Sequence, residues 1–219
     1  MTPQPLVIIG GGEHAQVVAD AVRSQPARWE LVGFTDPSSA AGGGVLGLDP
    51  LGDDASLRDR HRTTNEDDRP ALVLGFGTTA DARRRAVASF GEEVRWATVV
   101  HAAAWVSPAA IVGPGAVILA GAVVNAGARI GAHAIVNSGV VVEHGVVIGS
   151  GAHLAPGTVV GGGTAIGDDT VIGLAAAVRD HLTIGRAAVV GMGAVVVADV
   201  PDGATVLGNP ARVQVVPRA

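Results

Sequence analysis

The chain has no cysteine and no tyrosine, only three phenylalanines and three tryptophans in 219 residues, and every one of its fifteen basic residues is arginine. Each absence removes a class of chemistry. Without cysteine there is no thiol nucleophile, no thiolate metal site and no disulfide frame. Without lysine there is no Schiff base and no phosphate-loop lysine, and without tyrosine no phenolic acid or base. Charge is sparse as well, 16% of residues with a net of −5 and no basic run, so neither nucleic acid nor an anionic membrane surface is an expected partner. The chemistry that remains belongs to His, Asp, Glu, Ser, Thr and the backbone.

What is present is aliphatic. The apolar share is 48%, nearly all Val, Ala, Ile and Leu, and it comes with 32 glycines. A core without aromatic anchors has to be assembled from many small, regular contacts, and this composition excludes disorder. Residues 96–128 carry no charge, which a hydropathy window reads as a membrane span. Pro108, Gly113, Pro114, Gly115 and Gly121 interrupt that stretch, and its pattern has a period of six, so no membrane span is expected. The opening MTPQPLVIIGGG lacks a basic region and a cleavage-like site, so a cytoplasmic protein without a signal peptide is expected.

Two patterns divide the chain. Residues 1–98 alternate strand-like and helix-like segments: an apolar strand at 6–9 before Gly10-Gly11-Gly12, a helix over 14–25, a strand at 30–36, a loop with Gly42-Gly43-Gly44, a strand at 71–75, a helix over 80–90 and a last strand at 95–100. That alternation predicts a parallel α/β sheet. From Val99 to Val200 the sequence is seventeen uninterrupted hexads, and in each the second residue is Val, Ile or Leu. Six residues of α-helix turn 600°, which would smear those aliphatics over three faces. A β-solenoid with three short sides per coil points all of them at its axis. Eighteen residues make one coil, giving about six coils at about 4.8 Å each. Glycine after the aliphatic is expected to serve the corners through a positive φ. The domains expected are 1–98 and 99–219.

Two groups of residues could carry chemistry. Gly10 to Ala15 reads G-x-G-x-x-A between a strand and a helix, with Asp36 where a ribose-binding acid would sit. Fewer than a hundred residues precede the solenoid, about half of a dinucleotide fold, so a nucleotide held at the helix N-terminus fits better than a nicotinamide dehydrogenase or a structural turn. The second group is histidine: His133, His144, His153 and His181. His133 and His181 are read as surface residues. His144 and His153 lie near Asn137, and Gly162 is one coil beyond His144, which would leave room and a free N–H beside the imidazole. His144 thus reads as a general base and Gly162 as an oxyanion donor.

The solenoid, the segment NSGVVVEHGVVIGSGAHLAP, the IGGGEHA and GFTD segments and the closing Gly208-Asn209-Pro210-Ala211 together resemble the sialic-acid O-acetyltransferase-like family of hexapeptide-repeat sugar acyltransferases, which includes nucleotide-linked aminosugar N-acetyltransferases. The resemblance covers nearly the whole chain. It implies a Rossmann-like N-terminal half domain followed by a left-handed parallel β-helix. It also implies a homotrimer with acetyl-CoA bound between neighbouring helices, a nucleotide-linked aminosugar against the N-terminal domain, and no metal. By position, His144 resembles the catalytic base, with Asn137 and Gly162 beside the reacting centre. His153, Gly162, Leu174 and Met192 resemble acyl-CoA contacts, and Gly12, Glu13, His14, Ala15 and Asp36 resemble nucleotide-sugar contacts. Two positions depart from the family: Gly145 stands where an acid often follows the catalytic histidine, and Pro37 where a second acid often follows Asp36. Glu143 is not expected to replace the missing acid, because neighbouring strand residues point to opposite faces. The implied reaction is N-acetylation by direct attack on the thioester. A sugar O-acetyltransferase, a zinc-dependent carbonic anhydrase on the same solenoid and a non-catalytic nucleotide-sugar scaffold are the alternatives.

Overall fold

A computed structural model describes residues 2–36, 47–77, 80–91 and 94–214; Pro37 and Gly42-Gly43-Gly44 lie outside them. The chain divides into two compact units, Met1–Ala102 and Ala103–Ala219.

In the first unit, β1 (Gln4–Ile9), β2 (Trp29–Thr35) and β3 (Ala71–Leu74) form a parallel sheet in the order β2-β1-β3. The central strand is buried along Leu6 to Ile9 and β3 along its whole length, as uninterrupted aliphatic runs require when both faces are covered. Helix α1 (Glu13–Arg23) buries Ala15, Val18, Ala19, Ala21 and Val22, the helical spacing read in the sequence. Helix α3 (Ala80–Phe90) falls where expected. Helix α2 (Asp54–Thr63) was not expected. Its segment, DASLRDRHRT, is almost wholly polar, and only Leu57 and His61 are buried; its clear local signal is Asp53, whose carboxylate caps the helix by accepting from the Ser56 N–H at 2.8 Å. The strand expected at 95–100 is shorter: Val99–Val100 is a strand and Trp96 makes a single bridge to Leu72.

The second unit is the solenoid. Two-residue strands recur every six residues and pair in parallel with the strand eighteen residues on, as Ile135 with His153, Val141 with Val159 and Val147 with Ala165. Three faces result. The first carries Ile135–Val136, His153–Leu154 and Val171–Ile172; the second Val141–Val142 and Val159–Val160; the third Val147–Ile148 and Ala165–Ile166. From Ile118 to Val196 the second hexad residue is buried in every hexad, with Val142, Val160, Leu154 and Ile172 fully so. Thr158, Thr164 and Thr170, the sixth residues of successive hexads, are also fully buried, and their hydroxyls donate to carbonyls of the next coil.

The reason for glycine at the corners differs from the expectation. Glycines that follow the aliphatic, such as Gly149 and Gly167, do not have a positive φ; a Cβ on Gly149 would stand 2.4 Å from the Asp168 nitrogen of the next coil. They are small because coils touch there. The positive φ lies two residues later, at the fifth hexad position, where Gly145 has φ 66° and His133, Asp169, Ala175, His181 and Ala187 adopt the same conformation. The repeat ends when Thr205–Leu207 joins the first face only sixteen residues after its partner Val189. The GNPA segment then closes the end, Val195 donating to the Gly208 carbonyl and Ala211 to that of Val195.

Candidate functional site

The corner between the second and third faces is a stack of two-residue turns. His144-Gly145, Gly162-Gly163 and Asp180-His181 lie one above another, tied by Gly163 N–H to the His144 carbonyl and His181 N–H to the Gly162 carbonyl, each 2.9 Å. A Cβ on Gly162 would meet Cε1 and Nε2 of His144 at 2.7 and 2.8 Å, so the exposed imidazole rests on a glycine that is itself buried. The Gly162 N–H makes no hydrogen bond among the described residues. A base and an unused donor thus share one spot.

No hydrogen bond or ion pair reaches the His144 imidazole among the described residues. Glu143 instead turns its carboxylate back to accept from the His144 backbone N–H, at 3.3 Å. The strand argument against Glu143 is corrected here: the strand ends at Val142, and Glu143 and His144 sit in the corner, where strict alternation does not apply. What keeps Glu143 from the ring is its own backbone bond.

Asn137 is placed elsewhere, at the corner between the first and second faces. Its Oδ1 accepts from the Ser138 N–H at 2.8 Å, which turns its amide nitrogen toward Nε2 of His153 at 3.3 Å. An amide nitrogen only donates, so in this contact Nε2 of His153 is the acceptor. The structure therefore pairs Asn137 with His153, not with His144. Leu174 and Met192 follow Asn137 up this corner and are 51% and 77% exposed, Met192 being the most exposed of the large hydrophobic side chains among the described residues. Two edges of one prism thus divide the predicted residues between them.

In the first unit the glycine loop opens onto α1. Gly10 has φ 94°, and its N–H donates to the Thr35 hydroxyl at 3.2 Å. The N–H groups of Gly11, Gly12 and Glu13 make no hydrogen bond among the described residues, and Gly12, the N-cap, supplies no side-chain cap. Such a helix end favours an anion. Asp36 lies against the loop, its Oδ2 2.5 Å from where a Cβ on Gly11 would stand. His14 is half-buried and Ala15 fully buried. Burial, and then the charge of Arg83, holds the His14 imidazole below its ordinary range.

Arg83 was missed by the sequence reading. Arg83 is 1% exposed, a buried cation on α3 that donates to the Gly77 carbonyl at 3.4 Å. Its signal was available: it stands four and seven residues before Val87 and Phe90, on the apolar face of the helix. His181 was read as a surface residue, and its side chain is 76% exposed; its place in the stack follows only from the eighteen-residue coil. Among the described residues no group of three or more His, Cys, Asp or Glu is arranged to hold a metal, and no helix is long and apolar enough to cross a membrane.

Residues 5–85 match the PglD N-terminal domain and residues 127–162 the bacterial transferase hexapeptide family, as six repeats. No curated protein matches the chain. Among solved structures, a histidine mutant of perosamine N-acetyltransferase from Caulobacter crescentus, in complex with CoA and GDP-perosamine, is 31% identical with a TM-score of 0.87, covering 97% of each chain. The acetyltransferase domain of PglB from Neisseria gonorrhoeae, in complex with acetyl coenzyme A, is 31% identical with a TM-score of 0.87, covering 97% of this chain and 100% of that one. WeeI from Acinetobacter baumannii is 26% identical with a TM-score of 0.83, covering 96% and 100%.

Proposed function

We propose, for a chain that belongs to the hexapeptide-repeat nucleotide-aminosugar N-acetyltransferases and is an acetyl-CoA-dependent sugar N-acetyltransferase, that His144 is the general base of direct acetyl transfer. The amine of a nucleotide-linked aminosugar attacks the thioester carbonyl and His144 takes a proton from it. The Gly162 N–H holds the oxyanion as the tetrahedral adduct forms. The C–S bond then breaks, and coenzyme A leaves as a thiol with the proton His144 carried. With no cysteine in the chain, no thiol-linked acyl-enzyme enters this route.

The observation that carries this reading is the imidazole of His144 lying on Gly162, whose N–H has no hydrogen-bond partner among the described residues. The absence of an anionic partner at that ring, among the described residues, favours an amine over a hydroxyl, since nothing anionic supports the imidazolium that forms. His153, Leu174 and Met192 contact the acyl-CoA, with Asn137 orienting His153. A homotrimer with the co-substrate between neighbouring solenoids is the assembly that would bring the His144 edge of one chain and the His153 edge of another to one site. The left hand of the solenoid belongs to the same proposal. In the first unit, the N–H groups of Gly12 and Glu13, unused among the described residues, take the diphosphate, and His14, Ala15 and Asp36 line the nucleotide. Acetyl-CoA and nucleotide-activated sugars are the substrates of a cytoplasmic reaction.

The test is coenzyme A release from acetyl-CoA with a panel of nucleotide-linked aminosugars and their hydroxyl counterparts. Release with an aminosugar nucleotide, and a product heavier by one N-linked acetyl group, is expected. Acetylation of a hydroxyl, or no release with any member of the panel, would overturn it.

A further inference from the structure

His144 is not the only imidazole at its corner. A Cβ on Gly163 would meet Nδ1 and Cε1 of His181 at 2.6 and 2.8 Å, so two imidazoles from opposite directions rest on one Gly162-Gly163 turn. His144 comes from the coil before it and His181 from the coil after, and both lean into the same layer. We infer that His181 is a second proton acceptor of the acetyl-transfer site, taking the extra proton that an acceptor amine carries as ammonium and passing it to water.

The proton count motivates it. An amine beside electronegative groups resembles an α-amino group, with a pKa of about 8, so it arrives at neutral pH mostly as ammonium. Ammonium and thioester become amide, thiol and one proton. His144 takes the proton released as the C–N bond forms and returns it to sulfur as the C–S bond breaks, so it ends as it began. The first proton, which frees the nitrogen lone pair, needs another acceptor. Imidazole is the side chain that exchanges protons near neutrality, and the 76% exposure of His181 lets it discharge to solvent. Asp180 stands 3.9 Å from its Nε2 and is placed to hold the imidazolium. The other charged groups on this corner are Glu143, bound to the His144 N–H; Arg179, whose carbonyl accepts from Thr164; and Asp199, which accepts from the Thr183 N–H.

The inference rests on the reading of His144 as base, and the experiment separates the two. kcat/KM for the aminosugar nucleotide is measured from pH 6.5 to 9.5 for wild type, His181→Gln and His144→Gln, with melting temperatures for each. His181→Gln is expected to lose about tenfold near pH 7, a modest share of what general base catalysis supplies, and to rejoin wild type above pH 9, where the amine arrives deprotonated. His144→Gln is expected to stay impaired at every pH. A His181→Gln loss that is constant with pH, or no loss at all, overturns the proposal. Activity retained by His144→Gln overturns the underlying reading instead. Asp180→Asn, which keeps the imidazole, is expected to give a smaller loss of the same pH shape; a pH-independent loss there also counts against it.

Discussion

Half-buried His14 and buried His61 make the first unit sensitive to acid. Burial, and then Arg83, lowers the affinity of His14 for a proton; burial does the same for His61, partly offset by its bond to the Pro70 carbonyl, with the charge of Arg69 a lesser lowering effect. A group whose folded-state pKa is depressed binds a proton more readily in the unfolded chain, so stability falls as pH drops through the ordinary imidazole range. The N-terminal unit is expected to melt at a lower temperature at pH 5 than at pH 7.5, and His14→Gln to flatten that dependence. An unchanged pH slope in the variant would contradict the assignment. At the solenoid corner the residue-scale test is Gly162→Ala. Its methyl group meets the ring of His144 at 2.7 Å, and an exposed ring moves aside more easily than backbone does. Stability is expected to change by less than about 1 kcal/mol, while kcat falls about tenfold to a hundredfold through misplacement of the base. Gly145→Asp, which restores the family's acid, places it at a φ of 66° and meets a strain of about 1 kcal/mol or more.

At the scale of the coil, the hexads separate two uses of glycine that composition alone merges. Gly149→Ala drives a methyl group into the Asp168 nitrogen at 2.4 Å, whereas Gly139→Ala has nothing within 4 Å and meets only the positive φ of 67°. The first is expected to cost about 1–3 kcal/mol or more as overpacking against backbone, the second about 1 kcal/mol, and paired denaturant melts check the order. Ile148→Asp buries a charge on the axis, 1% exposed, and is expected to cost several kcal/mol, about 3 or more. Ser150→Ala is its control, expected within about 0.5 kcal/mol. An acid at 150 would be a poor control, because the Asp168 carboxylate already accepts from the Ser150 N–H at 2.9 Å. These elements also mark how much was legible in the sequence. The strict period exposes the register, the inward aliphatics and the His144–Gly162 stack, because each is a matter of counting by six or eighteen. Helix α2 was hidden because its burial rests on Leu57 and His61 alone. The Asn137–His153 pair was hidden because it depends on which way an amide turns, and Glu143 because strand logic was carried one residue past the strand.

For the whole molecule, the solenoid leaves Val147, Val159 and Val189 exposed, one on each face, and Leu174 and Met192 exposed at one corner, apolar side chains that contact between copies would cover. Three chains of 21.7 kDa are expected to run together at about 65 kDa by light scattering at micromolar concentration. A monomeric mass would overturn the proposed site between neighbouring solenoids. The central claim is that His144, lying on Gly162, is the base that enables acetyl transfer to the sugar amine. Its most direct measurement is the steady-state kinetics of His144→Ala with acetyl-CoA and an aminosugar nucleotide that the wild type accepts. The predicted result is a fall in kcat of about 10²–10⁴ with the KM for acetyl-CoA nearly unchanged, since the contacts proposed for that ligand lie mainly on the other edge. A variant that keeps more than about a tenth of the wild-type kcat would contradict it.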